Sequence, residues 1–124
     1  MSAKESFRKV LIVDDEPEVV EFLRNFLKRR SVEVHLAYQG LEALAIFEKE
    51  SPDLVLLDIG IPNLDGLGVL RRIKEKSPKT KVVMITAKND STSVTKAKKI
   101  GADAYITKPV DLAELHSLID KYLK

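Results

Sequence analysis

The stretch Val10–Pro17, VLIVDDEP, runs four consecutive apolar residues into three acids and a proline. An unbroken apolar tetrad describes a short strand buried on both faces. Its ending poses a question of charge. Two carboxylates about 4 Å apart at an effective dielectric near 20 repel by roughly 4 kcal/mol, so adjacent acids at the end of a buried strand need something that neutralises them.

Four further apolar runs follow: VEVHLAY (32–38), LVLL (54–57), KVVMIT (81–86) and AYIT (104–107). Only VEVHLAY alternates, as an edge strand would. Segments of helical spacing separate the runs. The stripes are Val19, Phe22, Leu23, Phe26 and Leu27 in 16–30; Leu41, Leu44 and Ala45, flanked by Phe47, in 40–50; Leu67, Leu70 and Ile73 in 66–76; and Leu112, Leu115, Ile119 and Tyr122 in 111–123, where Asp111 and Glu114 are spaced as a capping box. In 91–100, STSVTKAKKI, the helix formers are mediocre and the stripe (Val94, Ala97, Ile100) is thin. Strand and helix alternate five times, which predicts an α/β fold: a doubly wound (βα)5 parallel sheet with helices on both faces. Such sheets place their sites beyond the carboxyl ends of the strands.

Composition sets the frame. The chain's 124 residues suffice for one domain, read as 8–124 behind a poorly ordered tail at 1–7. With 21 basic and 19 acidic residues the charge is too balanced to indicate nucleic acid. The absence of cysteine excludes disulfides and thiolate metal sites. No apolar run approaches the roughly 18–20 residues of a membrane span, and the polar N-terminus lacks the apolar core of a signal peptide. The expectation is a cytoplasmic domain that contacts neither membrane nor nucleic acid.

The strand ends carry the chemistry. Asp14 and Asp15 follow the first run and Asp58 the third; Thr86 ends the fourth, with Ala87 after it; Lys108 and Pro109 follow the fifth. Lys108 supplies one positive charge to this acidic rim, and a divalent ion supplies two. An oxygen-only set suits Mg2+, with Mn2+ as the alternative, held by Asp14, Asp15, Asp58 and the backbone carbonyl of Gly60. A carboxylate beside such an ion and an ammonium can attack phosphorus, and aspartyl phosphate is a known covalent intermediate. Thr86 can hydrogen-bond a phosphoryl oxygen, and the small Ala87 leaves the approach open.

VDDE after the first run, LLDIGIPNLDG around Asp58, ITA at 85–87 and ITKP at 106–109 together resemble the receiver (CheY-like) domain of bacterial two-component response regulators, over about residues 8–123. The resemblance implies strand order 2-1-3-4-5 and Asp58 as acceptor of a phosphoryl group from a sensor histidine kinase or phosphotransfer protein. It implies Asp14 and Asp15 in the metal site, Thr86 as switch hydroxyl, Lys108 as the phosphate-pairing amine, and a cis peptide at Lys108–Pro109. Tyr105 matches an aromatic that swings inward as Thr86 moves. The sequence departs at Ile61, where Met is usual. Gly60 and Lys88 occupy variable positions near the path of a hydrolytic water and are expected to set the phosphoryl lifetime.

The weakly anchored 91–100 segment is the expected switch element. The 88–124 face, with Lys88, Lys96, Lys98, Lys99, Lys121 and Lys124, is the expected contact for a downstream effector, acidic if charge guides it, or for a phosphorylation-dependent homodimer. His35 and His116, each without a second ligand at metal spacing, read as structural or surface residues. Three other functions compete. A phosphohydrolase with an aspartyl nucleophile needs Asp-x-Asp after the first strand, where this chain has Asp14-Asp15-Glu16-Pro17. A flavin or nucleotide binder needs a Gly/Ser/Thr-rich cradle there. A receiver-like module that is never phosphorylated would lack one of the acids or the lysine. The expected role is thus a phosphoacceptor regulator, catalysing only its own phosphoryl transfer and autodephosphorylation. A stand-alone regulator and a piece of a longer protein are equally compatible with the sequence.

Overall fold

The computed structural model describes residues 8–87 and 90–123; the expected tail (1–7), Lys88 and Lys124 lie outside the described residues. The elements alternate along the chain: β1 (Arg8–Val13), α1 (Pro17–Lys28), β2 (Val32–Ala37), α2 (Gly40–Glu50), β3 (Leu54–Asp58), α3 (Gly66–Lys76), β4 (Lys81–Thr86), α4 (Ser91–Ile100), β5 (Ala104–Thr107) and α5 (Leu112–Leu123). The five strands form one parallel sheet in the order β2-β1-β3-β4-β5, the predicted doubly wound arrangement.

The two faces of the sheet follow from the period-two alternation of the strands. Leu11, Val13, Val55, Leu57, Val82 and Met84 pack with Ala43, Phe47, Val69, Leu70, Ile73 and Ala97 from α2, α3 and α4. Val10, Ile12, Leu54, Leu56, Val83, Ile85 and Ile106 face Val20, Leu23 and Leu27 of α1 and Leu115 and Ile119 of α5. Each fully buried Val, Leu, Ile, Phe or Met side chain contributes about 1.5–3 kcal/mol. β3 is buried at every position, whereas the edge strand β2 buries only Ala37 completely.

Helix orientation differs from the sequence reading at several positions. In α2 the buried residues are Gly40, Ala43 and Phe47, while Leu41 is 56 % exposed and Ala45 faces solvent. The reason at its start is close approach: a Cβ on Gly40 would run into the backbone of Leu64, so the inward stripe begins with a residue that a ranking by hydrophobicity passes over and continues through Ala43 to Phe47. In α1, Val20 is buried and Phe22 is exposed. In α5, Leu112 is exposed, and Asp111 Oδ1 caps the helix by accepting from the N–H groups of Ala113 (2.8 Å) and Glu114 (3.3 Å). In α4 only Ala97 is buried, in keeping with its thin stripe.

Candidate functional site

The parallel register brings the chemistry-bearing residues to one rim. Val13 pairs with Leu57, so Asp14 and Asp58 emerge side by side; Asp58 pairs with Ile85, and Thr86 with Thr107, which adds Thr86 and Lys108. β1 and β3 are also where the strand order reverses, the crevice where open α/β sheets bind ligands.

Asp14 is fully buried. Its Oδ1 accepts from the Glu16 N–H at 2.9 Å, which turns the chain into α1. Its Oδ2 lies 3.2 Å from Lys108 Nζ, an ion-pair distance, yet receives no hydrogen bond. Burial is the main influence on its pKa and, with the Asp58 charge, pushes it up; the Glu16 N–H and Lys108 pull the other way without cancelling the rise. Asp58 is 6 % exposed; its Oδ1 accepts from the Gly60 N–H at 3.2 Å and its Oδ2 stands 3.4 Å from Lys108 Nζ.

Lys108 also pairs with Glu16, Nζ to Oε1 at 2.6 Å. Burial weighs against its ammonium, but the Glu16 hydrogen bond and the charges of Asp58 and Asp14 outweigh that cost and push its pKa up. Its backbone N–H donates to Thr86 O at 2.8 Å, and the Lys108–Pro109 peptide is cis. The loop that carries Asp58 is clamped from below: a Cβ on Gly66 would sit 2.5 Å from Asp58 O and 2.6 Å from Ile59 Cα. Gly60 is the opposite case, exposed, with nothing within 4 Å of the place its Cβ would take.

Thr86 is buried behind the rim, and Ala87 is exposed beside it. Tyr105 is turned outward at 37 % exposure, with Lys98 Nζ of α4 5.1 Å over its ring. Lys88 lies outside the described residues. The carboxylate oxygens of Asp14, Glu16 and Asp58 all fall within 4.8 Å of one another; Asp15, next in the chain, is exposed and outside this trio. Sequence reasoning quoted Glu16 in its motif but gave it no role. Its signal was only its place two residues after Asp14, where the Asx turn redirects the chain over the rim. The all-oxygen trio with a buried oxygen lacking a hydrogen-bond donor fits a hard dication such as Mg2+, which takes oxygen ligands and offsets the charge that one lysine leaves.

A second constellation lies away from the rim. His35 on β2 has two carboxylates near its ring: Glu33, two residues earlier on the same strand face, and Glu50 at the end of α2. The pair escaped notice because Glu50 is distant in sequence and Glu-x-His reads as ordinary alternation on an edge strand. His116 Nδ1 meets Arg30 Nη2 at 3.0 Å and its Nε2 lies 3.4 Å from Asp120 Oδ2, a surface arrangement as expected.

Comparison with known proteins agrees with this geometry. The family profile described as the response regulator receiver domain matches residues 10–120. The chain is similar to the receiver domain of NtrX from Brucella abortus, at 32 % identity and a TM-score of 0.86 over 92 % of this chain and 97 % of that one. It is similar to a CheY-like response regulator receiver domain protein from Methanospirillum hungatei JF-1, at 32 % identity and a TM-score of 0.89 over 95 % of this chain and 94 % of that one. The signal receiver domain of an HD domain-containing protein from Pseudomonas fluorescens Pf-5 matches at 27 % identity and a TM-score of 0.90, covering 95 % of each chain.

Proposed function

The chain belongs to the response regulator receiver domain family, and from that premise we propose that it is a phosphorylation-activated switch in which Asp58 accepts a phosphoryl group. The observation that carries this reading is the pairing of Asp58 with Lys108 beside the buried, incompletely satisfied carboxylate of Asp14. The phosphoryl donor is a sensor histidine kinase or a phosphotransfer protein.

An Asp58 carboxylate oxygen attacks phosphorus, the bond from phosphorus to the donor breaks, and the donor leaves with the electron pair. Charge neutralisation and alignment make up most of the catalysis such a transfer needs. Lys108 leaves Glu16 to pair with a phosphoryl oxygen. The Thr86 hydroxyl donates to another, and Ala87 keeps the entrance open. Asp14, Asp15, Asp58 and the Gly60 carbonyl are the proposed Mg2+ ligands, with Mn2+ as the alternative. Glu16 joins them through the trio it forms with Asp14 and Asp58. When bound, the ion supplies neutralisation of the carboxylates and of the incoming phosphoryl oxygens.

The output leaves through the face of α4, β5 and α5. Once Thr86 turns to the phosphate, Tyr105 gives up its contact with Lys98 and swings inward, and α4, whose one fully buried residue is Ala97, shifts with it. That face meets a downstream effector domain or protein, acidic where Lys96, Lys98 and Lys99 lie, or a second copy of the phosphorylated chain. Gly60 and Lys88 set the lifetime of the phosphoryl group, whose autodephosphorylation is the only turnover proposed. The setting is the cytoplasm; among the described residues no helix is long and apolar enough to cross a membrane.

Incubation with acetyl phosphate and Mg2+, followed by intact mass measurement, tests the reading. One added phosphate on the wild type and none on Asp58→Asn is the expected result; equal labelling of both would remove Asp58 from the acceptor role.

A further inference from the structure

At the edge of the sheet opposite to β5, Glu33 Oε2, His35 Nε2 and Glu50 Oε1 lie within 4.8 Å of one another. Two of the ligands come from β2 and the third from the last residue of α2, so the cluster ties an edge strand to a helix end. His35 and Glu50 are largely shielded, their side chains 24 % and 21 % exposed, while Glu33 opens to solvent at 43 %.

One ring nitrogen faces both carboxylates. His35 Nε2 is 2.6 Å from Glu33 Oε2 and 3.6 Å from Glu50 Oε1. An imidazole nitrogen carries at most one proton and directs it at one acceptor, so hydrogen bonding leaves the second carboxylate unused by that nitrogen. Lys9 Nζ donates to Glu50 Oε1 and to the Glu50 backbone carbonyl, both at 3.3 Å, at the negative end of the α2 dipole; a dication on Glu50 Oε1 displaces this ammonium, which keeps the carbonyl.

From this juxtaposition we infer that Glu33, His35 and Glu50 form a site for a borderline divalent cation, Zn2+ above all, separate from the acidic rim. Tetrahedral donors about 2.0–2.2 Å from zinc stand roughly 3.3–3.6 Å apart. Closing the trio onto an ion therefore needs side-chain adjustments and no movement of the elements. Water completes the coordination, as in sites with three protein ligands. The two constellations differ in hardness: the rim offers oxygens only and suits Mg2+, while the imidazole of His35 favours a borderline cation such as zinc over Mg2+. Zinc here would pin β2 to the end of α2 and stabilise the folded chain. None of this depends on the phosphoacceptor reading.

The test is calorimetric titration of Zn2+ into the intact chain with Mg2+ in excess, alongside amide resonances followed by NMR. One zinc per chain is expected, with shifts centred on Glu33, His35 and Glu50. His35→Ala and Glu50→Gln are each expected to weaken binding by about tenfold or more, while Asp58→Asn leaves it unchanged. Glu33→Gln, on an exposed position, gives the same reading if a variant at a shielded position fails to fold. Absence of zinc uptake, affinity unaffected by these substitutions, or shifts confined to Asp14–Glu16 and Asp58 would overturn the assignment.

Discussion

Lys108 Nζ stands nearer to Glu16 Oε1, at 2.6 Å, than to Asp14 Oδ2 at 3.2 Å or Asp58 Oδ2 at 3.4 Å. The amine proposed to pair with the phosphoryl group is therefore engaged by an acid that does not accept it. Glu16 is more than half exposed, so this contact is a solvent-screened one worth at most about 1 kcal/mol. Glu16→Gln releases the amine. At saturating Mg2+ the rate of phosphorylation by acetyl phosphate should rise about two- to fivefold, the factor that up to 1 kcal/mol corresponds to. Mg2+ affinity should fall, because the trio loses a charge. Mass-resolved kinetics and calorimetry read the two effects separately.

Asp14 predicts a pH dependence. Its pKa in the folded chain is raised, mainly by burial, so the folded state binds this proton more tightly than the unfolded state does. Stability on account of Asp14 then falls as pH rises from the ordinary carboxylate range through the raised value, and the deficit persists at neutral pH. Asp14→Asn should accordingly melt higher than wild type in metal-free buffer at pH 7, by a few degrees for about 1 kcal/mol. That advantage should shrink as pH drops toward the ordinary Asp value. Thermal melts at several pH values check the sign, and an advantage that grew on acidification would contradict it. Mg2+ binding should be lost in the same variant.

Two glycines separate fold from tuning. Gly66→Ala places a methyl against backbone atoms of Asp58 and Ile59 that have no room to yield. A cost of about 1–3 kcal/mol is expected, with slower phosphorylation because the loop carrying Asp58 is displaced. Gly60→Ala meets open space and should hold stability to within about 0.5 kcal/mol, so a change in dephosphorylation half-life at saturating Mg2+ is read without a loss of fold. Denaturant melts and phosphoryl decay distinguish the two.

Lys98 Nζ lies 5.1 Å over the outward-turned ring of Tyr105. An exposed cation–π contact is worth about 0.5–1 kcal/mol, so Lys98→Ala should raise the inward population about two- to fivefold without phosphate. Fluorine NMR of fluorotyrosine at position 105 would show the shift. An unchanged population would mean that the ring's orientation is set by β5 itself.

The parallel sheet was legible because the central strands carry unbroken apolar runs, and its strand order only through the resemblance carried by the motifs at the strand ends. The orientation of α2 was not. Gly40 faces inward since the helix start lies too close to Leu64 for a side chain there, and neighbour distance leaves no trace in hydrophobicity. Glu16 was overlooked as a partner of Lys108 because 92 residues separate them. Its approach depends on how the turn at Asp14 folds back, which residue spacing does not encode. The Glu33–His35–Glu50 cluster needed knowledge of where α2 ends relative to β2, again a matter of packing.

Asp14 and Asp58 leave neighbouring strands of a hydrogen-bonded ladder whose spacing, about 4.8 Å, is common to all sheets. Their mutual distance is thus gauged by the peptide backbone and owes little to any particular core side chain. Volume-conserving replacements throughout the interior should leave this gauge intact, so the reactive edge could be transplanted onto other parallel sheets of the same winding while its outer helices are rewritten for new listeners.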